Sequence, residues 1–245
     1  FGISGLPGCG KTSFGKWIKA ASTELNWPVD VISMDDFYLP SPELEKAMSG
    51  NPWQVPRALP GSHEIELIET TIENWKITGS LKAPKFDKAL RHGLGDRCGW
   101  NVTTPNILII EGWFLGCGLS TDITRSKGHW PEGQMGITSS EKDYRYKVQN
   151  SLKEYQSIWE EFERIWHFKA VNFGSTKEWK RQQELNLQKD RGASIKGKAL
   201  ELFLRMIETA IPQEDLQSIK SDVIAKLNSS REITWVGLSD EETKT

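Results

Sequence analysis

The sequence predicts an α/β fold, in which helices cover both faces of a mostly parallel β-sheet. Three observations carry this prediction. Apolar segments with strand character alternate along the chain with segments of helical periodicity. Residues 106–114, "NILIIEGWF", are the clearest buried strand, because four apolar residues follow one another and most are β-branched. A glycine-rich turn at residues 5–13, "GLPGCGKTS", separates the first strand from the first helix.

The first third of the chain contains two strands and two helices. Residues 1–4 are predicted to end a buried strand, and residues 13–26 to form a helix with Trp17, Ile18, Ala21 and Leu25 on one face. "VDVISMDDF", residues 29–37, is a second apolar strand that ends in two carboxylates. Residues 41–64 are rich in Pro, Gly and Ser and therefore loop-like, and residues 65–77 have helical spacing.

The remaining segments are less regular. Residues 81–100 show little periodicity of either kind, and residues 119–138 are predicted to form a surface excursion. After it the sequence predicts helices at 141–168, 177–191, 198–211 and 214–227, a last strand at 232–238, and a frayed acidic tail.

Composition excludes several classes of protein. The 245 residues suit one domain, 1–245, with 37% hydrophobic and 26% charged residues. The net charge of −2 gives no reason to expect nucleic acid or an anionic membrane as partner, and we expect a monomer. No apolar run approaches the roughly 18 residues of a membrane helix. Three scattered cysteines indicate a reducing compartment. Because "FGIS" is short for a strand, we expect a segment to precede Phe1.

The turn matches the phosphate-binding pattern G-x-x-x-x-G-K-[ST], with a strand before it and a helix after it. Glycine permits the tight coiling that lets backbone N–H groups converge on phosphate oxygens. The helix N-terminus adds its own free N–H groups. Lys11 is predicted to reach the β- and γ-phosphates, and Thr12 to bind Mg²⁺. The predicted fold is therefore that of the P-loop NTPases, and the residues predicted to bind ATP are Gly5, Pro7, Gly8, Cys9, Gly10, Lys11, Thr12 and Ser13.

Other residues narrow the type of nucleotide protein. The N-K-x-D pattern of guanine-binding switches is absent, and the strand "ILIIEG" ends in Glu111 and Gly112 rather than the Asp-Glu of motor ATPases. "SMDDFY" supplies carboxylates at a strand end, as transfer to an alcohol requires. Asp35 is the candidate base, and Thr12 with Asp36 or Glu111 forms the candidate metal site. The alternative reading of the Asp pair is helix capping or loop solvation.

These residues carry a resemblance. "SMDDFY" resembles elements of uridine kinases and pantothenate kinases whose first aspartate is the catalytic base, and "EGW" resembles the Glu-Gly element of that superfamily, which includes phosphoribulokinase. "RALPGSHE", "APKFDKALRHGLGDR", "IIEGWFLG", "SLKEYQSIW" and "KEWKRQQE" together resemble D-glycerate 3-kinases of the plant and cyanobacterial type. The resemblance implies ATP-dependent, Mg²⁺-dependent phosphorylation of D-glycerate to 3-phosphoglycerate, in a cyanobacterial cytosol or a plastid. Ser62, Glu64 and Ala89 depart mildly from the pattern.

Glycerate is a small carboxylate with two hydroxyls, so its site needs cations and polar groups. The residues predicted to bind it are Asp36, Tyr38, Arg57, His63, Lys85 and Arg97. Lys88 and Arg91 are further cations of the same segments. The alternative readings are a structural partner of Asp96 for Arg97, an ordinary loop histidine for His63, and a solvated face for Lys88 and Arg91.

A lid is predicted at about residues 175–192, because Lys177, Lys180 and Arg181 lie within about one helical turn. Charge runs are often only solvated faces, but the resemblance favours Arg181 as a catalytic cation together with Lys11 and Asp35. A sibling kinase for pantothenate, a nucleoside or a sugar, and a nucleotide-binding regulator without transfer chemistry, remain alternatives.

Overall fold

The computed structural model describes residues 1–120, 136–191 and 194–244. Its strands are β1 (Gly2–Gly5), β2 (Val29–Ser33), β3 (Leu81–Asp87), β4 (Asp96–Thr103), β5 (Ile107–Gly112), β6 (Ile165–Ala170), β7 (Val223–Leu227) and β8 (Ile233–Leu238). Its α-helices are α1 (Lys11–Glu24), α2 (Glu43–Met48), α3 (Ile65–Thr78), α4 (Ser139–Glu154), α5 (Gln156–Glu160), α6 (Phe173–Arg191), α7 (Gly197–Thr209) and α8 (Gln213–Gln217). Short 3₁₀ turns cover Met34–Phe37, Arg91–Gly93 and Ser239–Lys244.

The main sheet has six strands in the order β2-β5-β1-β6-β7-β8. All neighbouring pairs are parallel except β7 and β8, which are antiparallel. β3 and β4 form a separate antiparallel hairpin. This arrangement confirms the predicted α/β fold with a mostly parallel sheet.

Alternating side chains of the central strands enter two apolar clusters. Leu108 and Ile110 of β5 belong to the larger cluster, which also takes in residues of α3, α4, α5 and α7. Ile109 belongs to the smaller cluster, against which Phe14 and Ile18 of α1 pack. A strand buried on both faces reads as a continuous apolar run, which explains "ILII".

Several predicted elements were wrong. The helix predicted at 141–168 ends at Glu160, and residues 165–170 form β6 beside β1. The helix predicted at 214–227 is the short α8 followed by β7, and the aperiodic residues 81–100 contain most of the β3–β4 hairpin. The acidic tail forms a 3₁₀ turn in which Glu242 pairs with Lys169.

The predicted apolar face of α1 was also wrong in part. Ile18 packs on the smaller cluster, whereas Trp17 and Leu25 are 71% and 60% exposed. The buried helix positions are instead Lys11, Gly15 and Ser22.

The predicted surface excursion at 119–138 lies largely outside the described residues, as does the last residue of the predicted lid. In the part of the chain that is described, no helix has the length and apolar character needed to cross a membrane. The parallel order brings the carboxyl ends of β1, β5 and β2 to one edge of the sheet, where such folds place their ligand sites.

Candidate active site

The glycine-rich loop joins β1 to α1 at this edge. Gly8 and Gly10 have φ values of +85° and +102°, in the region that favours glycine. A Cβ at Gly10 meets no atom within 4 Å, so open space lies beside the start of α1. A Cβ at Gly8 lies 2.9 Å from Cβ of Trp179, so the loop also packs closely against α6. Loop and helix N-terminus together form a backbone cradle suited to phosphate.

The side chains of the loop divide into inward and outward sets. Lys11 is buried, and its Nζ donates to the carbonyls of Gly5 at 2.6 Å and Leu6 at 3.3 Å. Cys9 is also buried, and burial raises the pKa of its thiol. Ser13 is exposed and Pro7 half-buried. The loop thus keeps one ammonium inside its own turn.

Thr12 and Glu111 meet beside the loop. The Thr12 hydroxyl donates to Oε1 of Glu111 at 3.2 Å. Glu111 is the next-to-last residue of β5, which lies between β1 and β2. A hydroxyl and a carboxylate beside bound phosphates are the few protein ligands that Mg²⁺ commonly takes, because it keeps several waters. Among the residues described, no group of three or more His, Cys, Asp or Glu is arranged to hold a metal by itself. The residues therefore fit a magnesium ion shared with a nucleotide.

Asp35 lies just past the end of β2, in the 3₁₀ turn Met34–Phe37, and each of its carboxylate oxygens accepts a hydrogen bond. Tyr38 donates its hydroxyl to Oδ1 at 2.6 Å, and Lys88 Nζ lies 2.5 Å from Oδ2. Burial opposes ionisation of Asp35, but Lys88, Tyr38 and His63 together outweigh it and lower its pKa well below the usual range. Asp35 is therefore a carboxylate at neutral pH.

Asp36 has a different environment. Its Oδ2 accepts from the Ser33 amide and its Oδ1 from the Phe86 amide, both at 3.4 Å. Ser33 and Asp36 form a reciprocal capping box that holds the 3₁₀ turn. Burial raises the pKa of Asp36, and the two amide hydrogen bonds only partly offset this effect. The capping alternative thus describes Asp36 and not Asp35, and Glu111 is the carboxylate that contacts Thr12.

Arg57 and Arg97 both lie near the β3–β4 hairpin. Arg57 is buried and donates to the carbonyls of Gly93 at 2.8 Å and Leu94 at 2.9 Å. Arg97 donates from Nε to the Tyr38 carbonyl and pairs with Glu64 at 2.5 Å. Arg57 therefore holds the connection between β3 and β4, and Arg97 holds the backbone of Tyr38, the residue that binds Asp35.

Lys85 and His63 differ in exposure. Lys85 is exposed on β3 and makes no ion pair with any residue that the structure describes. His63 is 4% exposed and stacks on the Tyr38 ring at a centroid distance of 4.6 Å. Burial lowers the pKa of His63 to about 4, with Asp35 opposing and Lys88 adding to the effect. His63 is therefore neutral at physiological pH.

Two adjacent cations of α6 differ in how far they are exposed and in which residues they pair with. Arg181 is 36% exposed and pairs with Glu178 and Glu201. Lys180, in contrast, is 11% exposed and pairs with Glu184 at 2.6 Å. Burial lowers the pKa of Lys180, and its partner Glu184 opposes this effect. Lys88 lowers the pKa slightly further and Asp35 raises it, so Lys180 interacts electrostatically with the candidate base.

The sequence does not single out three residues of this neighbourhood. Lys88 is only one of several candidate cations in the predicted substrate segments, Lys180 is one of three cations of the predicted lid, and Tyr155, which contacts His63, has no predicted role. The "KFDKA" segment around Lys88 carried a usable signal, since it belongs to the residues that resemble D-glycerate 3-kinases. The contact of Tyr155 crosses 92 residues and leaves no local pattern.

Comparison with known proteins adds independent evidence. No protein-family model matches the chain. The uncharacterized kinase mug58 of Schizosaccharomyces pombe is 28% identical over 230 residues, which cover 86% of this chain and 78% of that protein. The chloroplastic D-glycerate 3-kinase of Arabidopsis thaliana is 27% identical over 217 residues, which cover 83% of this chain. The alignment spans 44% of the Arabidopsis protein, less than half of its length.

Solved structures agree on the architecture. A D-glycerate 3-kinase from Cryptococcus neoformans superposes with a TM-score of 0.77 at 18% identity, covering 97% of this chain and 88% of that one. Phosphoribulokinase from Rhodobacter spheroides gives a TM-score of 0.52 at 10% identity, with 98% and 80% covered. The fold is that of the P-loop kinases. The resemblance to D-glycerate 3-kinase and related kinases is confirmed.

Proposed function

We propose that this P-loop kinase fold transfers the γ-phosphoryl group of ATP to the 3-hydroxyl of D-glycerate, giving 3-phosphoglycerate. The observation that carries the proposal is the position of an ionised Asp35 past the end of β2, next in the sheet to the strand that bears Glu111. A carboxylate for the hydroxyl, a Thr–Glu pair for magnesium and a backbone cradle for phosphates are the three parts that alcohol phosphorylation requires. The similarity to D-glycerate 3-kinases supports the choice of acceptor.

The phosphate side is supported by Lys11 and Thr12. Lys11 exchanges its carbonyl partners Gly5 and Leu6 for phosphate oxygens, and the N–H groups of the loop bind the same phosphates. Thr12 and Glu111, which contact each other, would hold the magnesium ion that accompanies the nucleotide. When bound, Mg-ATP supplies the transferred group and neutralises part of its charge.

On the acceptor side, Asp35 orients the 3-hydroxyl and takes up its proton as the new O–P bond forms and the bond to the ADP oxygen breaks. The pKa of Asp35 is lowered chiefly by Lys88, so Asp35 is ionised before the acceptor binds and is ready to accept a hydrogen bond from its hydroxyl. The 3-hydroxyl displaces Lys88 from Oδ2, and the released ammonium pairs with the substrate carboxylate. More than half of the Lys88 side chain is exposed, so this movement needs no repacking. Tyr38 holds Asp35 in place, Arg97 holds the Tyr38 backbone, and Arg57 holds the β3–β4 connection.

Water is the competing acceptor, and α6 is the element proposed to exclude it. Its Trp179 and Lys180 lie against Gly8 of the loop. Lys180 adds positive charge on the side of the transferring phosphoryl group, and Arg181 remains a second proposed cation of the same helix.

An acceptor panel tests the proposal. The purified chain is incubated with Mg-ATP and, separately, D-glycerate, L-glycerate, pantothenate, uridine or fructose, and ADP release is followed. Phosphorus NMR then identifies the phosphorylated position. We expect rapid turnover with D-glycerate and phosphate at the 3-position. Turnover faster with another alcohol rejects the acceptor, and ATP binding without turnover on any alcohol supports a nucleotide-binding regulator instead.

A further inference from the structure

His63 presents a buried nitrogen that no protein group satisfies. Its Nε2 is buried and has no hydrogen-bond partner among the described residues, while the whole residue is 4% exposed. A buried polar atom without a partner is costly and therefore calls for an explanation. Asp35 and Lys88 both act electrostatically on this ring, which stacks on the tyrosine that binds Asp35. The orphan nitrogen thus belongs to the neighbourhood of the proposed acceptor hydroxyl.

The other ring nitrogen determines where the proton resides. Nδ1 lies 2.8 Å from the hydroxyl of Tyr155. That hydroxyl already accepts the Gly61 N–H at 3.0 Å, so its own hydrogen is free to donate to Nδ1. Burial raises the pKa of Tyr155, which keeps the hydroxyl protonated. The second neighbour, Ser62 Oγ, is 3.5 Å from Nδ1 and donates to the Leu59 carbonyl at 2.6 Å.

A neutral imidazole has one proton, and the nitrogen that accepts a hydrogen bond leaves it to the other. We propose that Tyr155 fixes His63 as the Nε2–H tautomer, so that His63 donates a hydrogen bond to an oxygen of the hydroxy-acid acceptor. Tyr155 is then a positioning residue that acts through His63. At this point the site favours a substrate atom that accepts a hydrogen bond, such as an oxygen, and disfavours one that donates. The inference rests on the proposed function for the identity of the acceptor, but the tautomer itself does not.

Tyr155 caps α4 and contacts Phe114 and Trp159 through its ring, so Tyr155→Phe removes the hydroxyl and retains the ring. Without that donor, Nδ1 can carry the proton and donate a hydrogen bond to Ser62 Oγ. The fraction of molecules in which Nε2 carries the proton then falls. We expect KM for D-glycerate to rise about tenfold, the effect of one lost hydrogen bond to a charged or strongly polar acceptor. KM for ATP is expected to stay unchanged. Tyr146→Phe, an exposed tyrosine on α4, is the matched control.

Long-range ¹H–¹⁵N NMR of the ligand-free protein reads the tautomer directly. The chain has four histidines, and His63→Gln assigns the His63 signals by their loss. We expect the Nε2–H form in the wild type and an Nδ1–H population in Tyr155→Phe. As a second pair, Gln places an amide nitrogen near the Nε2 position and Asn near the Nδ1 position, so His63→Gln is expected to keep a lower KM for D-glycerate than His63→Asn.

The outcomes separate the two proposals. An Nδ1–H signal in the wild type, or a KM for D-glycerate that Tyr155→Phe leaves unchanged, overturns the inference. A wild type that does not phosphorylate D-glycerate overturns the proposed function, while the NMR experiment still decides the tautomer. If Tyr155→Phe fails to fold, the Gln and Asn pair at position 63 gives the test, and equal KM values for the two contradict the inference.

Discussion

Lys180 and Arg181 are adjacent cations of α6, the proposed lid, and they have different surroundings. Replacing each by methionine therefore separates an effect on stability from an effect on catalysis. Lys180 and its partner Glu184 have side-chain exposures of 11% and 6%. Removing one member of a buried pair leaves an uncompensated charge and costs about 3 kcal/mol or more. Arg181 is 36% exposed, and its partners Glu178 and Glu201 are 73% and 61% exposed, so Arg181→Met should cost at most about 1 kcal/mol.

A double variant removes the stability effect. Glu184 Oε2 also accepts the Ile195 N–H at 2.9 Å, and glutamine retains an oxygen for that hydrogen bond. Lys180→Met/Glu184→Gln therefore buries no unpaired carboxylate, and we expect it to recover most of the lost unfolding free energy. It does not restore the ammonium. If Lys180 stabilises charge on the transferring phosphoryl group, kcat stays about 10²-fold low in the double variant.

The assay combines urea denaturation of the ligand-free chain with steady-state ADP release under saturating Mg-ATP and D-glycerate. Glu184→Gln alone is the control, because it retains the cation. Recovery of both stability and kcat in the double variant refutes a catalytic role for Lys180 and leaves it as a structural ion pair. A larger kcat loss in Arg181→Met than in the double variant transfers the role to Arg181, as the sequence suggested.

Three further predictions concern the loop and the candidate base. Asp35→Asn should lower kcat at least about 10²-fold while a fluorescent ADP analogue binds as in the wild type, and unchanged turnover contradicts its role. Gly8→Ala and Gly10→Ala should each lose about 1–2 kcal/mol of stability from their positive φ. Gly8→Ala should lose about 1–3 kcal/mol more because its Cβ meets Trp179, so equal denaturation midpoints argue against this contact. Lys88→Met should cost about 1 kcal/mol at pH 7, since the pair is partly exposed. Because Lys88 lowers the pKa of Asp35, its stabilisation is present above the unfolded pKa of about 3.9 and fades as pH falls below it. A loss that grows in acid contradicts this assignment.

The parts of the fold that the sequence predicted well depend on local patterns. The P-loop needs only a strand, two glycines at positive φ and a helix start, and all of these are close together in the sequence. "ILII" is buried on both faces and so reads as a strand without reference to its neighbours. The wrong elements lack such patterns: the apolar residues of β4, Trp100 and Val102, are both exposed, so this strand has no buried apolar face. In β6, "IWHFKA", the buried His167 and the partly buried Lys169 interrupt the apolar run, so the segment lacks the continuous apolar stretch that marks β5 as a strand.

The site was predictable on the phosphate side and less so on the acceptor side for the same reason. Gly5 to Thr12 are contiguous, and "SMDDFY" places Asp35 at a strand end. Lys88 reaches Asp35 across 53 residues, and Tyr155 reaches His63 across 92. Which of two adjacent cations turns inward on α6 depends on the packing of Gly8 against that helix, and no spacing rule encodes it.

Lys88, the cation on the proposed acceptor side, directly follows β3 of the two-stranded hairpin, which is not part of the main sheet. In contrast, Glu111 lies on the central strand β5 and Thr12 on α1. Under the proposed function, substitutions in residues 81–103 would alter which alcohol is accepted while the nucleotide-binding residues keep their geometry. This separation would let new substrate preferences evolve, because mutations in the β3–β4 hairpin leave the phosphate-binding loop, Thr12 and Glu111 unchanged.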